Sequence, residues 1–146
     1  MNKKHYINLA KKSAQVQINE LKKIRKIFNN SFSKAIDLIL NCKGKVILAG
    51  IGKSGLIARK ISATFSSVGI PSFFCDPAQA LHGDMGQIEK RDILIIFSYS
   101  GNTSELTNML KYANRYRIKI IGVASKPDSI LLKASDVKII MPKVKE

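Results

Sequence analysis

The chain has 146 residues, 45% hydrophobic and 24% charged, which is the make-up of a single soluble globular domain with a core of its own. It has no run of about 18 apolar residues, and Lys11 and Lys12 interrupt the N-terminal stretch before it reaches signal-peptide length, so a cytoplasmic location with no membrane partner is expected. The net charge of +15 attracts anions in general, but 20 of the 25 basic residues are Lys scattered singly or in pairs, with no zinc-finger, RNA-binding or helix-turn-helix signature, so nucleic acid is not the expected partner.

Apolar residues recur every three or four positions at Ala14, Ile18, Leu21, Ile24, Phe28, Phe32, Ala35 and Ile39, tracing one face of a helix. Asn29-Asn30-Ser31 interrupts it, and Ser31 or Ser33 is placed to cap a second helix running to about Leu40. Residues 1–45 carry 11 Lys and Arg against Glu20 and Asp37, so the basic excess concentrates here. Residues 1–43 are therefore expected as N-terminal helices packing on an α/β domain that occupies 44–146.

Beyond Gly44 strands alternate with helices. Strands are predicted at 45–49, 70–75, 92–97, 118–123 and 137–141, and helices at 54–67, 103–115 and 128–134, with a short helix starting at Asp76 and Pro77. Pro71 suits the second strand to a sheet edge. The alternation predicts an α/β fold, a doubly wound five-stranded parallel sheet of flavodoxin-like order 2-1-3-4-5. Ligands bind such sheets past the carboxyl ends of the strands where the order reverses, between the turns after the first and third strands. Cys42 and Cys75 form no CxxC pair and read as two buried free thiols. Neither a metal nor a cofactor is expected.

Those two turns are the Gly-bearing ones. After 92–97 comes Ser98-Tyr99-Ser100-Gly101-Asn102-Thr103-Ser104-Glu105, four Ser and Thr hydroxyls and a Gly at a helix start, which suits a phosphate monoester. The alternative is helix initiation alone, with Asn102 and Glu105 as a capping box. After 45–49 comes Gly50-Ile51-Gly52-Lys53-Ser54-Gly55, a match to G-x-G-x-x-G in the context a dinucleotide needs. Its acidic partner would be Asp76, which lies late and reads better as a cap. A P-loop would need Gly where Ile47 stands. Lys53 at the mouth of this turn can serve a phosphate or an enediolate oxygen as a point charge, or be one more exposed Lys. His82 has no second His at metal-ligand spacing, and a lone His is more often a packed residue. Arg59 and Lys60 are expected to face solvent.

Taken together, Gly50–Gly55, residues 63–74, His82-Gly83-Asp84 and residues 98–105 resemble the sugar isomerase (SIS) domain family, and within it the arabinose-5-phosphate isomerases, over essentially the whole chain. The resemblance implies a phosphosugar ligand and interconversion of D-arabinose 5-phosphate and D-ribulose 5-phosphate, which opens the route to the Kdo sugar of lipopolysaccharide. It implies that Ser98, Ser100 and Thr103 with nearby backbone amides hold the phosphate, Gly52, Ser54, Gly101 and Asn102 completing that site. It places Lys53 and Glu105 among the catalytic or substrate-contacting residues and His82 near the sugar. Such a reaction needs a base to carry a proton between C1 and C2 and a cation to stabilise the enediolate, and Glu105 and Lys53 are the candidates. Family members continue beyond residue 146 with a helical region carrying a catalytic His and, in long members, two CBS modules, so the domain is expected to be incomplete at its C-terminus. Glu146 matches a family acidic position. With no helix after the last strand to cover the sheet, a homo-oligomer is expected. An inactive phosphosugar-binding module and a dinucleotide-binding fragment are the competing readings.

Overall fold

The computed structural model describes residues 3–144. Helices α1 (Lys3–Ile24) and α2 (Asn30–Leu40) lead into β1 (Val46–Gly50), α3 (Lys53–Ser67), β2 (Ser72–Cys75), β3 (Ile93–Phe97), α4 (Leu106–Tyr116), β4 (Lys119–Ala124), α5 (Ile130–Ala134) and β5 (Val137–Ile140). All pairings are parallel, and the strand order is β2-β1-β3-β4-β5. This is the order the sequence predicts, with β2 at an edge and Pro71 just before it. Glu146, singled out above, lies outside the described residues.

The central strands form because their side chains are buried on both faces. Ile47, Leu94, Ile96 and Ile120 point to one face and Val46, Leu48, Ile93 and Ile121 to the other. Each fully buried aliphatic side chain contributes about 1.5–3 kcal/mol, more than the spread of ~1 kcal/mol in strand propensity, so burial decides the element. The first face is covered by Leu106, Met109, Leu110 and Ala113 of α4 and Leu131 and Leu132 of α5. The second carries α3 and α2, and between these two helices it leaves an apolar groove of about 270 Å³ over β3 and β4.

Several local expectations change. The cap of α2 is Asn29, not Ser31 or Ser33: its side-chain oxygen accepts from Ser31 N and Phe32 N. Of the two N-terminal helices, α2 lies on the sheet through buried Ala35, whereas α1 buries none of its residues. The segment after β2 is not an α-helix but two 3₁₀ turns, Ala80–His82 and Asp84–Gln87. Asp76 does close a turn, its carboxylate accepting from Ala78 N at 3.0 Å, but Gly83 at φ 127° breaks the helical path. Cys75 is buried but Cys42 is only half-buried. Burial first, then the charges of Asp84 and Asp76, push the Cys75 thiol up to about 11, so it stays protonated and inert. Arg59, expected in solvent, is exposed but stacks on Phe74 at 4.1 Å. Among the described residues no helix is long and apolar enough to cross a membrane.

Candidate phosphosugar site

The turns after β1 and β3 lie side by side at the carboxyl edge of the sheet, because β1 and β3 are hydrogen-bonded neighbours whose connections leave in opposite directions. Between them is a cleft of about 150 Å³ lined by Ser54, Ile57, Phe97, Ser98, Tyr99 and Met141, with Val123 and Ala124 at its back. A larger groove of about 460 Å³ lies at the opposite edge, beside Lys119 and Asp136. Those two charges already pair with each other at 2.6 Å, and ligands of such sheets bind at the other end.

The turn from Ser98 to Glu105 folds around Gly101, whose φ of 68° is left-handed and where a Cβ would collide with the Ser129 side chain. Ser98 is buried; its hydroxyl accepts from Gly101 N at 3.1 Å and shares a hydrogen bond with Thr103 Oγ1 at 2.9 Å. Ser100 Oγ accepts from Asn102 N at 3.3 Å. Among the described residues, the N–H groups of Tyr99, Ser100, Thr103 and Ser104 have no acceptor. Unpaired backbone donors and hydroxyls thus gather at the entrance to α4, where a helix N-terminus favours negative charge.

The capping box does not form. Asn102 Oδ1 accepts from Ile130 N at 2.9 Å, at the start of α5, so this side chain is turned away from α4. Glu105 is the residue before α4 and its carboxylate makes no cap bond. It takes a hydrogen bond from its own backbone N–H and one from Ser104 Oγ at 2.8 Å. These two bonds, in that order of size, hold its carboxyl below the usual carboxylate range.

On the other side of the cleft, Gly52 adopts φ 57°, ψ −128°, and Lys53 opens α3, so the first turn of α3 points its own orphan N–H groups the same way. A Cβ on Gly55 would strike the Gly50 carbonyl, so the Gly spacing here serves close helix–strand packing. Ser54 and Ser98 are thus brought to one cleft, and Ser98, Ser100, Gly101 and Thr103 to one turn. Lys53, His82 and Glu105 sit, all exposed, in the connections after β1, β2 and β3. No hydrogen bond or ion pair joins any two of them among the described residues. Sequence reasoning missed Ser125 and Ser129, both buried under the turn; the position of Ser125 directly after a strand adjoining β3 was the available signal.

Comparison with known proteins fits this geometry. The SIS domain family profile matches residues 39–146. A Rickettsia prowazekii protein is 40% identical over 146 residues, all of this chain and 46% of that protein. Arabinose 5-phosphate isomerase GutQ of Escherichia coli K12 is 39% identical over 125 residues, 86% of this chain and 39% of GutQ. The chain thus spans less than half the length of these relatives. Among solved structures, the E. coli CFT073 protein c3406 in complex with arabinose 5-phosphate superposes with a TM-score of 0.86 at 36% identity, covering 99% of this chain and 77% of that one. The Vibrio vulnificus NanR protein complexed with ManNAc-6P shares the fold at a TM-score of 0.83 and 16% identity, covering 94% of this chain and 52% of that one. With its sheet order, its two turns at the switch point and the match over residues 39–146, the chain belongs to the SIS domain family.

Proposed function

We propose that the chain binds a sugar phosphate, with the phosphate on the Ser98–Glu105 turn, and serves the aldose–ketose isomerisation of D-arabinose 5-phosphate to D-ribulose 5-phosphate. The carrying observation is the set of four N–H groups without acceptors in that turn, beside the hydroxyls of Ser100 and Thr103. GutQ, which is named for this reaction, and c3406, which holds arabinose 5-phosphate, support the choice of sugar. In this reading the phosphate anchors one end of the open-chain sugar and the reacting carbons reach the mouth of the cleft. Glu105, ionised at neutral pH, takes the C2 proton and returns it to C1 while the O2 proton passes to O1. Lys53 stabilises the enediolate oxygen as a point charge, and His82 stands near the sugar. The product would feed the Kdo branch of lipopolysaccharide synthesis.

A second reading, a phosphosugar-binding module without turnover, is favoured by one observation: Lys53, His82 and Glu105 are all exposed and unconnected to one another. A coupled assay for ribulose 5-phosphate on the purified chain separates the two. The isomerase reading expects turnover that drops by about 10²–10⁴-fold in Glu105→Gln while arabinose 5-phosphate still binds. Binding without turnover in the unaltered chain contradicts it and leaves the module.

A further inference from the structure

The turn whose four N–H groups lack acceptors among the described residues is also braced from outside, by the segment that follows β4 and by the start of α5. Ser125 N donates to the Tyr99 carbonyl at 2.8 Å and Ser125 Oγ donates to the same oxygen at 2.7 Å. Beyond this segment, in the first turn of α5, Leu131 N donates to the Gly101 carbonyl at 3.0 Å, and Ile130 N donates to Asn102 Oδ1 at 2.9 Å. Ser125 is 6% exposed, so its hydroxyl donates to Tyr99 in place of water.

The geometry of the peptide unit turns these contacts into aim. In a trans peptide the carbonyl of one residue and the N–H of the next point in opposite directions across one plane. The Tyr99 carbonyl and the Ser100 N–H belong to the same plane. Fixing that carbonyl with two donors from Ser125 therefore fixes the Ser100 N–H outward, among the donors left without an acceptor. An unbraced turn would have to order itself when an anion arrives, losing backbone entropy on binding; a braced one meets that cost during folding.

We propose that Ser125, assisted by Asn102, is a positioning residue that holds the Ser98–Glu105 turn in its anion-binding shape through the β4–α5 segment. Neither side chain touches the ligand in this account; Asn102 acts by its bond to Ile130 rather than as the phosphate contact its sequence position suggests. The inference rests on the reading of the turn as a phosphate site.

Isothermal titration of the full chain with arabinose 5-phosphate and, separately, with inorganic phosphate tests it. The unaltered chain binds both. Ser125→Ala weakens both by about tenfold, the loss equivalent to one hydrogen bond of ~1.4 kcal/mol, and Ser125→Thr, which keeps the hydroxyl, recovers most of it. Asn102→Ala, at an exposed position that does not threaten folding, weakens both in the same direction. In amide spectra of the unaltered chain, phosphate shifts the Ser100 N–H resonance, and in Ser125→Ala that shift shrinks. A variant that melts earlier yet binds both ligands as the unaltered chain does, below its melting temperature, overturns the positioning role. Absence of binding in the unaltered chain overturns instead the phosphate reading beneath it.

Discussion

Glu105 has two conceivable employments, and its contacts separate them. A capping residue would hold backbone N–H groups of its helix, whereas this carboxylate holds only its own N–H and the Ser104 hydroxyl. Replacing it with Gln should therefore leave the melting temperature within about 2 °C of the original, since surface substitutions away from caps and networks barely move stability. As the base of an isomerisation its lowered pKa sets a direction. The group is charged throughout the neutral range, so the turnover rate stays flat there and falls only as pH drops below the ordinary glutamate value. A rising limb near pH 6–7 in a pH–rate profile would assign the base to another group. At this scale the sequence supplies residue types and not their directions. Ser100, Gly101 and Thr103 read as a phosphate turn from residue type alone. That Asn102 faces α5 and that Ser125 lies beneath the turn depend on contacts between distant segments, to which local spacing is blind.

Elements were legible wherever burial on both faces wrote a continuous apolar run, as in 93–97 and 46–49. Their ends moved by a residue or two because hydrogen bonds, not hydrophobicity, set them. Asp92 shows how. It reads as the first residue of a strand, yet its buried carboxylate accepts from Lys45 N at 2.7 Å and Glu89 N at 2.8 Å, and pairs with Lys45 Nζ at 3.3 Å. It thereby ties the start of β1 to the start of β3. Asp92→Ala leaves two backbone donors without their acceptor and Lys45 Nζ with Glu89 at 3.5 Å, and should cost about 2–4 kcal/mol in chemical denaturation. A cost below ~1 kcal/mol would show that water replaces the carboxylate. The segment after β2 departs for the opposite reason: Asp76 and Pro77 are genuine start signals, and Gly83, at φ 127°, cancels them within two turns.

Across the whole molecule, a net charge of +15 works against the compact state as carboxylates are protonated. Asp136 contributes to this: burial raises its pKa, but the hydrogen bond from Lys119, the Ile120 N–H and the Lys119 charge outweigh it and leave the group below its ordinary value. A carboxyl depressed by folding adds stability above its unfolded pKa and loses it as pH falls through the folded one. Thermal melts should therefore show stability declining from about pH 4 downward, and less steeply in Asp136→Asn; equal slopes would remove Asp136 from the acid transition. The same positive field favours anionic ligands at the cleft. The central claim is that the Ser98–Glu105 turn holds the phosphate of a sugar phosphate. Calorimetric titration of arabinose 5-phosphate into the unaltered chain and into the Ser100→Ala, Thr103→Ala double variant tests it most directly. Saturable binding is expected, weakened at least about tenfold in the double variant, as the loss of charge-assisted hydrogen bonds requires. No binding at millimolar sugar phosphate, or equal binding by both chains, would contradict it.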